Sequence, residues 1–233
     1  MLAQTEPRKS SRSTQSPLKA SQDFVFWRKQ MCNWAFTVVN NFDIDKETVS
    51  VAFNMLDRYV VHEQNVPGAP PISREDYQLF AMTALYIAVK VLEPYPRKIA
   101  VDALVVMSRN FYSAEDITHT EREMLKSLNW NINPPTVLTF ARFFMNSMEN
   151  DCDKLKMDRI CSLLSERIVA DSFFVPLKDS MIGLACVMHA AQLIGLSDDY
   201  AMSHFLGQVH RVCSREDASS LKAILKKLGT FLS

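Results

Sequence analysis

Four ionisable side chains interrupt apolar stripes in the first half of the chain. Arg28, Asp57, Lys90 and Glu121 each lie three or four residues from apolar neighbours on the same predicted helix face. Burying a lone charge costs several kcal/mol, so each of these groups needs a partner. Two acids and two bases allow two ion pairs.

Two interpretations of these charges remain open at this point. Either both pairs are internal and only stabilise the helices, or one pair is structural and the other lies at the edge for a binding partner. Lys90 ends an apolar helix just before Pro94 and Pro96, which brings its ammonium group within reach of the surface. Glu121 lies in the middle of a helix, and the sequence leaves its exposure open.

The remaining polar residues do not form a catalytic or metal-binding pattern. Five glycines are too few and too scattered for a phosphate-binding loop, and the five histidines are dispersed. His204 and His210 are six residues apart, whereas adjacent metal ligands on a helix are usually three or four apart. His189 is predicted to be a satisfied core histidine. We therefore expect no catalytic residue, metal or cofactor, and a binding protein rather than an enzyme.

The elements that carry these residues are predicted to be helices throughout, because no segment alternates convincingly at period two. Five helices are expected between residues 24 and 128, and five more between residues 136 and 231. Residues 79–89 and 181–194 are apolar almost all round, so other helices must surround them. The fold class is therefore all-α, with two tandem five-helix bundles, each built around a central apolar helix. Helix starts are marked by Ser-x-x-Asp pairs at Ser73/Asp76, Ser113/Asp116 and Ser214/Asp217.

Composition sets the domain plan and the compartment. Residues 1–22 form a basic, Ser/Thr-rich tail that we expect to be disordered, followed by one domain at 23–133 and a second at 134–233. The 26 basic and 26 acidic residues balance, so no direct nucleic-acid binding is expected. No signal peptide or membrane span is predicted. The five cysteines show no paired spacing, which favours a reducing compartment, the nucleus and/or cytoplasm.

A series of short motifs over about 110 residues resembles the cyclin box in order and spacing. The matching residues are Arg28, Met31, Trp34, Glu47-Thr48, Asp57-Arg58-Tyr59, Ala88-Val89-Lys90, Glu93, Tyr95-Pro96, Glu121, Trp130-Asn131 and Pro134-Pro135-Thr136. Thr136 to Phe140 and Ser180 to Ala185 resemble the C-terminal cyclin fold. The resemblance implies a regulatory subunit that forms a heterodimer with a cyclin-dependent Ser/Thr protein kinase and activates it, with a role in cell-cycle control.

The resemblance divides the four charges between two tasks. Lys90 and Glu121 match the family's kinase-binding pair, and Arg28 and Asp57 match its internal salt bridge. A lysine ammonium offers three donors to kinase carbonyl groups, and a glutamate accepts hydrogen bonds from N–H groups.

The family's substrate-docking groove is matched at Met31, Trp34 and Gln78, through which kinase substrates would bind. Trp27 and Gln30 replace residues that are usually aliphatic, and Thr37 replaces a position that is often acidic. Specificity for a basic, leucine-containing substrate motif is therefore not assured. The alternative is that Met31 and Trp34 are simply core residues.

Other features leave the subtype open. The tail contains no R-x-x-L destruction box, and no L-x-C-x-E motif is present. Ser16-Pro17-Leu18-Lys19 resembles a proline-directed phosphorylation site at Ser16, although such short matches also arise by chance. Two alternatives to a kinase activator are a cyclin-fold transcription factor, which requires a basic face, and a non-activating helical adaptor. The adaptor predicts that Lys90 and Glu121 turn away from the surface or pair with each other.

Overall fold

The computed structural model describes residues 17–94, 98–146, 151–196 and 215–231, and within these ranges side chains are described except at residues 17–22, 151–152 and 215–217. Regular structure in these residues is helical, as predicted, with one short 3₁₀ turn at Ser172–Phe174. The α-helices in these ranges are α1 (Pro17–Asn41), α2 (Glu47–Asn65), α3 (Arg74–Leu92), α4 (Val101–Met107), α5 (Ala114–Ser127), α6 (Val137–Asn146), α7 (Asp151–Ala170), α8 (Asp179–Leu193) and α9 (Arg215–Gly229).

The first bundle is organised around α3, as the apolar run at residues 79–89 predicted. Helices α1, α2 and α5 all pack against α3. The side chain of Ser73 accepts a hydrogen bond from the Asp76 N–H, and Asp76 caps the Ser73 N–H in return. Ser113 and Asp116 make the same reciprocal cap on α5. Two of the three predicted capping pairs are therefore confirmed, and the third, at Ser214, lies outside the described residues.

The second bundle is organised around α8, which is buried along almost its whole length. Helices α6, α7 and α9 pack against it, and its buried residues join a hydrophobic core separate from that of the first bundle. Cys186 on α8 and Cys32 on α1 are fully buried, as expected of small core residues. The further helix predicted for this half lies in residues 197–214, outside the described part of the chain.

The structure also defines where individual helices begin. Helix α4 begins at Val101 and α2 at Glu47. Asp45 accepts a hydrogen bond from the Glu47 N–H at 2.8 Å, so it precedes the helix. The predicted tail extended to residue 22, whereas α1 begins at Pro17; residues 1–16, including Ser16, lie outside the described residues.

The prediction for His189 was only half right. The residue is buried in the second core, at 9% exposure, but its Nε2 atom has no hydrogen-bond partner among the described residues. Burial lowers the pKa of His189 below its ordinary value of 6.5, because the imidazolium form would lose hydration.

Gly183 allows α6 and α8 to approach each other closely. A Cβ added at Gly183 would lie 2.8 Å from both the Phe140 Cβ and the Val137 carbonyl oxygen. Two of the three groups it would meet are backbone atoms of α6, so a larger residue must push the helices apart. Gly229, near the end of α9, has nothing within 4 Å of the same position.

Replacing Gly183 with alanine should therefore destabilise the protein by about 1–3 kcal/mol through overpacking. Gly229→Ala is the matched control, and we expect it to be neutral or slightly stabilising because alanine favours helix. Urea unfolding followed by circular dichroism measures both. Equal effects from the two substitutions would show that close packing at Gly183 is not limiting.

The buried His189 should make stability fall on acidification. Since its pKa is lower in the folded chain than in the unfolded chain, the unfolded chain binds more protons once the pH drops below 6.5. Melting temperatures at about pH 7.5 and about pH 5.5 should therefore differ more for the wild type than for His189→Gln. His62→Gln, at an exposed histidine of α2, should behave like the wild type.

Candidate functional site

Lys90 and Glu121 come together at one edge of the first bundle. Lys90 lies in the last turn of α3 and Glu121 in the middle of α5, and the Lys90 Nζ atom donates to Glu121 Oε1 at 2.6 Å. The Lys90 ammonium also lies 4.8 Å from the centre of the Tyr86 ring, a cation–π distance. Its side chain is 41% exposed, whereas that of Glu121 is 12% exposed.

This geometry leaves hydrogen-bonding capacity on both groups. An ammonium has three donors and a carboxylate about four acceptor positions, so one mutual bond does not saturate either. The adaptor alternative had predicted this mutual pairing, whereas the exposure of Lys90 suits a partner-binding role. The contact by itself is compatible with both.

Arg28 and Asp57 form an ion pair between α1 and α2. The Arg28 Nη1 atom donates to Asp57 Oδ1, and the guanidinium lies over the Phe53 ring at 5.1 Å. Arg28 is 7% exposed, and its Nε atom has no partner among the described residues. Burial raises the pKa of Asp57 to about 6, although the positive charge of Arg28 opposes that rise.

The three groove residues named from the sequence do line one cleft. Met31 and Trp34 project from α1 and Gln78 from α3, into a cleft of about 210 Å³ that we call the α1–α3 groove. Met31 and Trp34 also pack against the first hydrophobic core, being only partly buried. They are thus core residues on one side and groove residues on the other.

The structure adds six lining residues to the three that the sequence predicted for the groove. The remaining lining residues are Trp27, Gln30, Arg74, Tyr77, Met82 and Met107. Thr37 is not among them; its hydroxyl is exposed and donates to the Asn33 carbonyl at 2.9 Å. Helical spacing from Met31 and Trp34 points to Trp27 and Gln30, but nothing in the sequence brings α4 to the groove.

A polar seam between the two bundles was also missed from the sequence. Arg142 on α6 donates to Glu47 on α2 at 3.2 Å and to Asp158 on α7 at 2.7 Å. Thr136 donates to the same Glu47 carboxylate, and Lys46 reaches Glu166 at 3.0 Å. These partners are far apart in sequence, so periodicity gives no signal for them.

Two of the motif residues connect the ends of elements in the first bundle. The Glu93 carboxylate, just after α3, accepts from the Thr48 hydroxyl at 3.2 Å and from the Asp45 N–H at 3.1 Å. Arg58 donates to the Asn131 carbonyl at 2.8 Å, which attaches the segment between the bundles to α2. The end of α3, and hence Lys90, is held in place by the two bonds of Glu93.

Other site chemistries find no support in the described ranges. Those residues contain no group of three or more His, Cys, Asp or Glu side chains that could hold a metal ion. None of the helices described is both long enough and apolar enough to cross a membrane.

Two tandem helical bundles, each around a central apolar helix, are the architecture of the cyclin fold. The Cyclin, N-terminal domain model matches residues 1–133, and the Cyclin, C-terminal domain model matches residues 135–232. The chain belongs to the cyclin family. Members of this family are regulatory subunits rather than enzymes.

Individual relatives agree with this assignment. The chain is 24% identical over 209 residues to Cyclin-A3-3 of Arabidopsis thaliana, covering 88% of this chain and 60% of that protein. It is 24% identical over 209 residues to G1/S-specific cyclin-D1 of Mus musculus, covering 85% of this chain and 68% of that one. The chain spans 39% to 60% of the length of the first curated relatives that it matches.

Solved structures share the fold at low identity. A viral cyclin from herpesvirus saimiri superposes with a TM-score of 0.67 at 14% identity, covering 88% of this chain and 85% of that one. A chain of the CAK complex from Chaetomium thermophilum, bound to ATP-gamma-S, superposes with a TM-score of 0.58 at 12% identity, covering 93% of this chain and 65% of that one.

Removing Asp57 should destabilise the first bundle strongly. Asp57→Ala leaves Arg28 buried and unpaired, which should cost roughly 3–5 kcal/mol in the free energy of unfolding. Glu123→Ala is the control, because it removes the acid of an exposed Lys126–Glu123 pair on α5 and should cause no measurable change. Chemical denaturation compares the two variants. An Asp57→Ala protein as stable as the wild type would contradict a structural role for the ion pair.

Proposed function

We propose that this protein is a regulatory subunit that binds and activates a cyclin-dependent Ser/Thr protein kinase, through a surface that includes Lys90 and Glu121. The observation that carries the proposal is that both cyclin domain models match and that Lys90, with a side chain 41% exposed, meets Glu121 at one edge of the first bundle. A cell-cycle role is proposed on the same basis, because relatives include a G1/S-specific and a G2/mitotic-specific cyclin.

Activation in this proposal is a shift between two states of the kinase. Kinase catalysis requires an ion pair between a lysine and a glutamate carried on the kinase's C-helix. A subunit that binds only the correctly placed helix favours the active state by the difference in its affinity for the two states. The spare donors of Lys90 and spare acceptors of Glu121 suit backbone groups of the kinase beside that helix.

Exposed apolar side chains on the elements that carry the pair support a protein-binding surface. Val91, the neighbour of Lys90, is 43% exposed, and Trp130 is 68% exposed. The Trp130 N–H donates to the Leu125 carbonyl at 3.0 Å, which attaches the backbone of Trp130 to the last turn of α5, the helix that carries Glu121. Exposed apolar and aromatic residues of this kind are typical of interfaces, where aromatic residues are enriched.

The adaptor alternative keeps one observation in its favour, the mutual contact of Lys90 and Glu121. An adaptor would use the same fold without changing kinase activity. The transcription-factor alternative lacks an equivalent observation, because the chain is electrically neutral overall. Localisation in the nucleus and/or cytoplasm is part of the proposal; the described cysteines, Cys32, Cys161 and Cys186, are free and buried.

The decisive experiment compares two double variants of the full chain. Each is combined with a panel of purified cyclin-dependent kinases, and both histone phosphorylation and binding affinity are measured. Lys90→Ala/Glu121→Ala should weaken binding and activation by at least ~10-fold, since truncating interfacial charges that bond a partner costs 2–5 kcal/mol or more. Lys126→Ala/Glu123→Ala removes another Lys–Glu pair from α5 and should match the wild type.

The possible results separate the parts of the proposal. Activation that survives the Lys90/Glu121 change would refute the site while leaving the function. Binding without activation would favour the adaptor. Absence of binding to every kinase tested would refute the function itself.

A further inference from the structure

The α1–α3 groove carries an unusual distribution of charge. Of the nine described residues that line it, Arg74 is the only ionisable one with a full charge at neutral pH, and no carboxylate is among them. The position at which the resemblance expects an acid is Thr37, whose hydroxyl already bonds to the Asn33 carbonyl. The groove therefore presents a single positive charge.

The Arg74 guanidinium is available to a ligand. The residue is exposed at the first position of α3, and its side chain makes no hydrogen bond or ion pair within the described ranges. Its acidic neighbours do not neutralise it by contact: Asp76 is engaged in the cap with Ser73, and Glu75 does not line the groove. A guanidinium binds a carboxylate with two parallel hydrogen bonds, which gives both strength and orientation.

The walls of the groove suit a bulky apolar side chain. Trp27 and Tyr77 of the lining contact each other, and Phe24 behind them, in tilted and edge-to-face arrangements with ring centres 5.1 to 6.0 Å apart. Met31 and Met107, which are partly buried, provide flexible, polarisable surfaces that adapt to the shape of a ligand, and the buried Met82 lies beneath them.

Gln30 and Gln78 add amide groups to the lining of the groove. Each amide offers both donors and an acceptor, so the two residues suit the backbone of an extended peptide.

We infer that the α1–α3 groove binds an extended peptide in which an aspartate or glutamate lies close to a large apolar residue, with the carboxylate on Arg74. A lysine or arginine at that place in the peptide meets a like charge and no acid among the described lining residues, so basic motifs are disfavoured. This selects a class of docking peptide opposite in charge to the basic, leucine-containing motif that the family resemblance implies. The use of this groove to recruit kinase substrates rests on the proposed function, whereas peptide binding by the chain without a kinase does not.

Fluorescence anisotropy on the full chain, without any kinase, tests the inference. The probes are labelled peptides with a central Leu-Ala-Phe in which one flanking position at a time is Asp, Asn or Lys. At the flanking position where the substitution has the largest effect, the Asp peptide should bind at least ~10-fold more tightly than the Lys peptide, and the Asn peptide should bind with intermediate affinity.

Charge reversal supplies the matched comparison. Arg74→Glu should invert the order, so that the Lys peptide binds more tightly than the Asp peptide. Lys29→Glu introduces the same change in charge at an exposed position of α1 outside the groove and should preserve the wild-type order. Circular dichroism spectra of both variants establish that they are folded.

Three results would overturn the inference: no binding of any Leu-Ala-Phe peptide, a tighter Lys than Asp peptide on the wild type, or an unchanged order after Arg74→Glu. An order that Lys29→Glu inverts equally would assign the preference to overall charge rather than to Arg74. None of these results bears on whether Lys90 and Glu121 bind a kinase, so failure here and failure of the proposed function are distinguishable.

Discussion

A guanidinium group that is almost fully buried has to be paired, and Arg28 meets that requirement through Asp57. The contact connects α1 to α2 across 29 residues of sequence and places the guanidinium over the Phe53 ring. Because α1 supplies Trp27, Met31 and Trp34 to the groove, the position of the whole apolar wall depends on where Arg28 is held. The buried Arg28 thus sets the geometry of a groove whose own charged residue is Arg74.

The second pair of charges is placed by a different set of contacts. Lys90 lies in the last turn of α3, and the residue that follows that helix, Glu93, accepts hydrogen bonds from Thr48 and from the Asp45 N–H at the start of α2. Glu121 lies on α5, which packs on α3. The edge that we propose for a kinase is therefore built on helices whose ends are attached, which lowers the entropic cost of presenting the charges to a partner.

The two proposed binding surfaces also differ in how far they follow the family. Lys90 and Glu121 stand where the family pattern has them, whereas the groove departs from it at Trp27, Gln30 and Thr37. The loss of an acid at Thr37 leaves Arg74 as the local charge. The surface proposed for a kinase and the groove proposed for a peptide are formed by different residues, so a substitution in one need not alter the other.

Local patterns in the sequence determined the helices, the two central apolar runs and the caps at Ser73 and Ser113, because residues three and four apart meet on one helix face. The same periodicity identified four charges in need of partners. Tertiary structure alone decided that Lys90 bonds to Glu121, that Arg142 joins α2 to α7, and that Arg74 and Met107 share a cleft with α1. These contacts join residues on different helices, often dozens of positions apart, and depend on how the helices pack, which a pattern repeating every 3.6 residues does not encode.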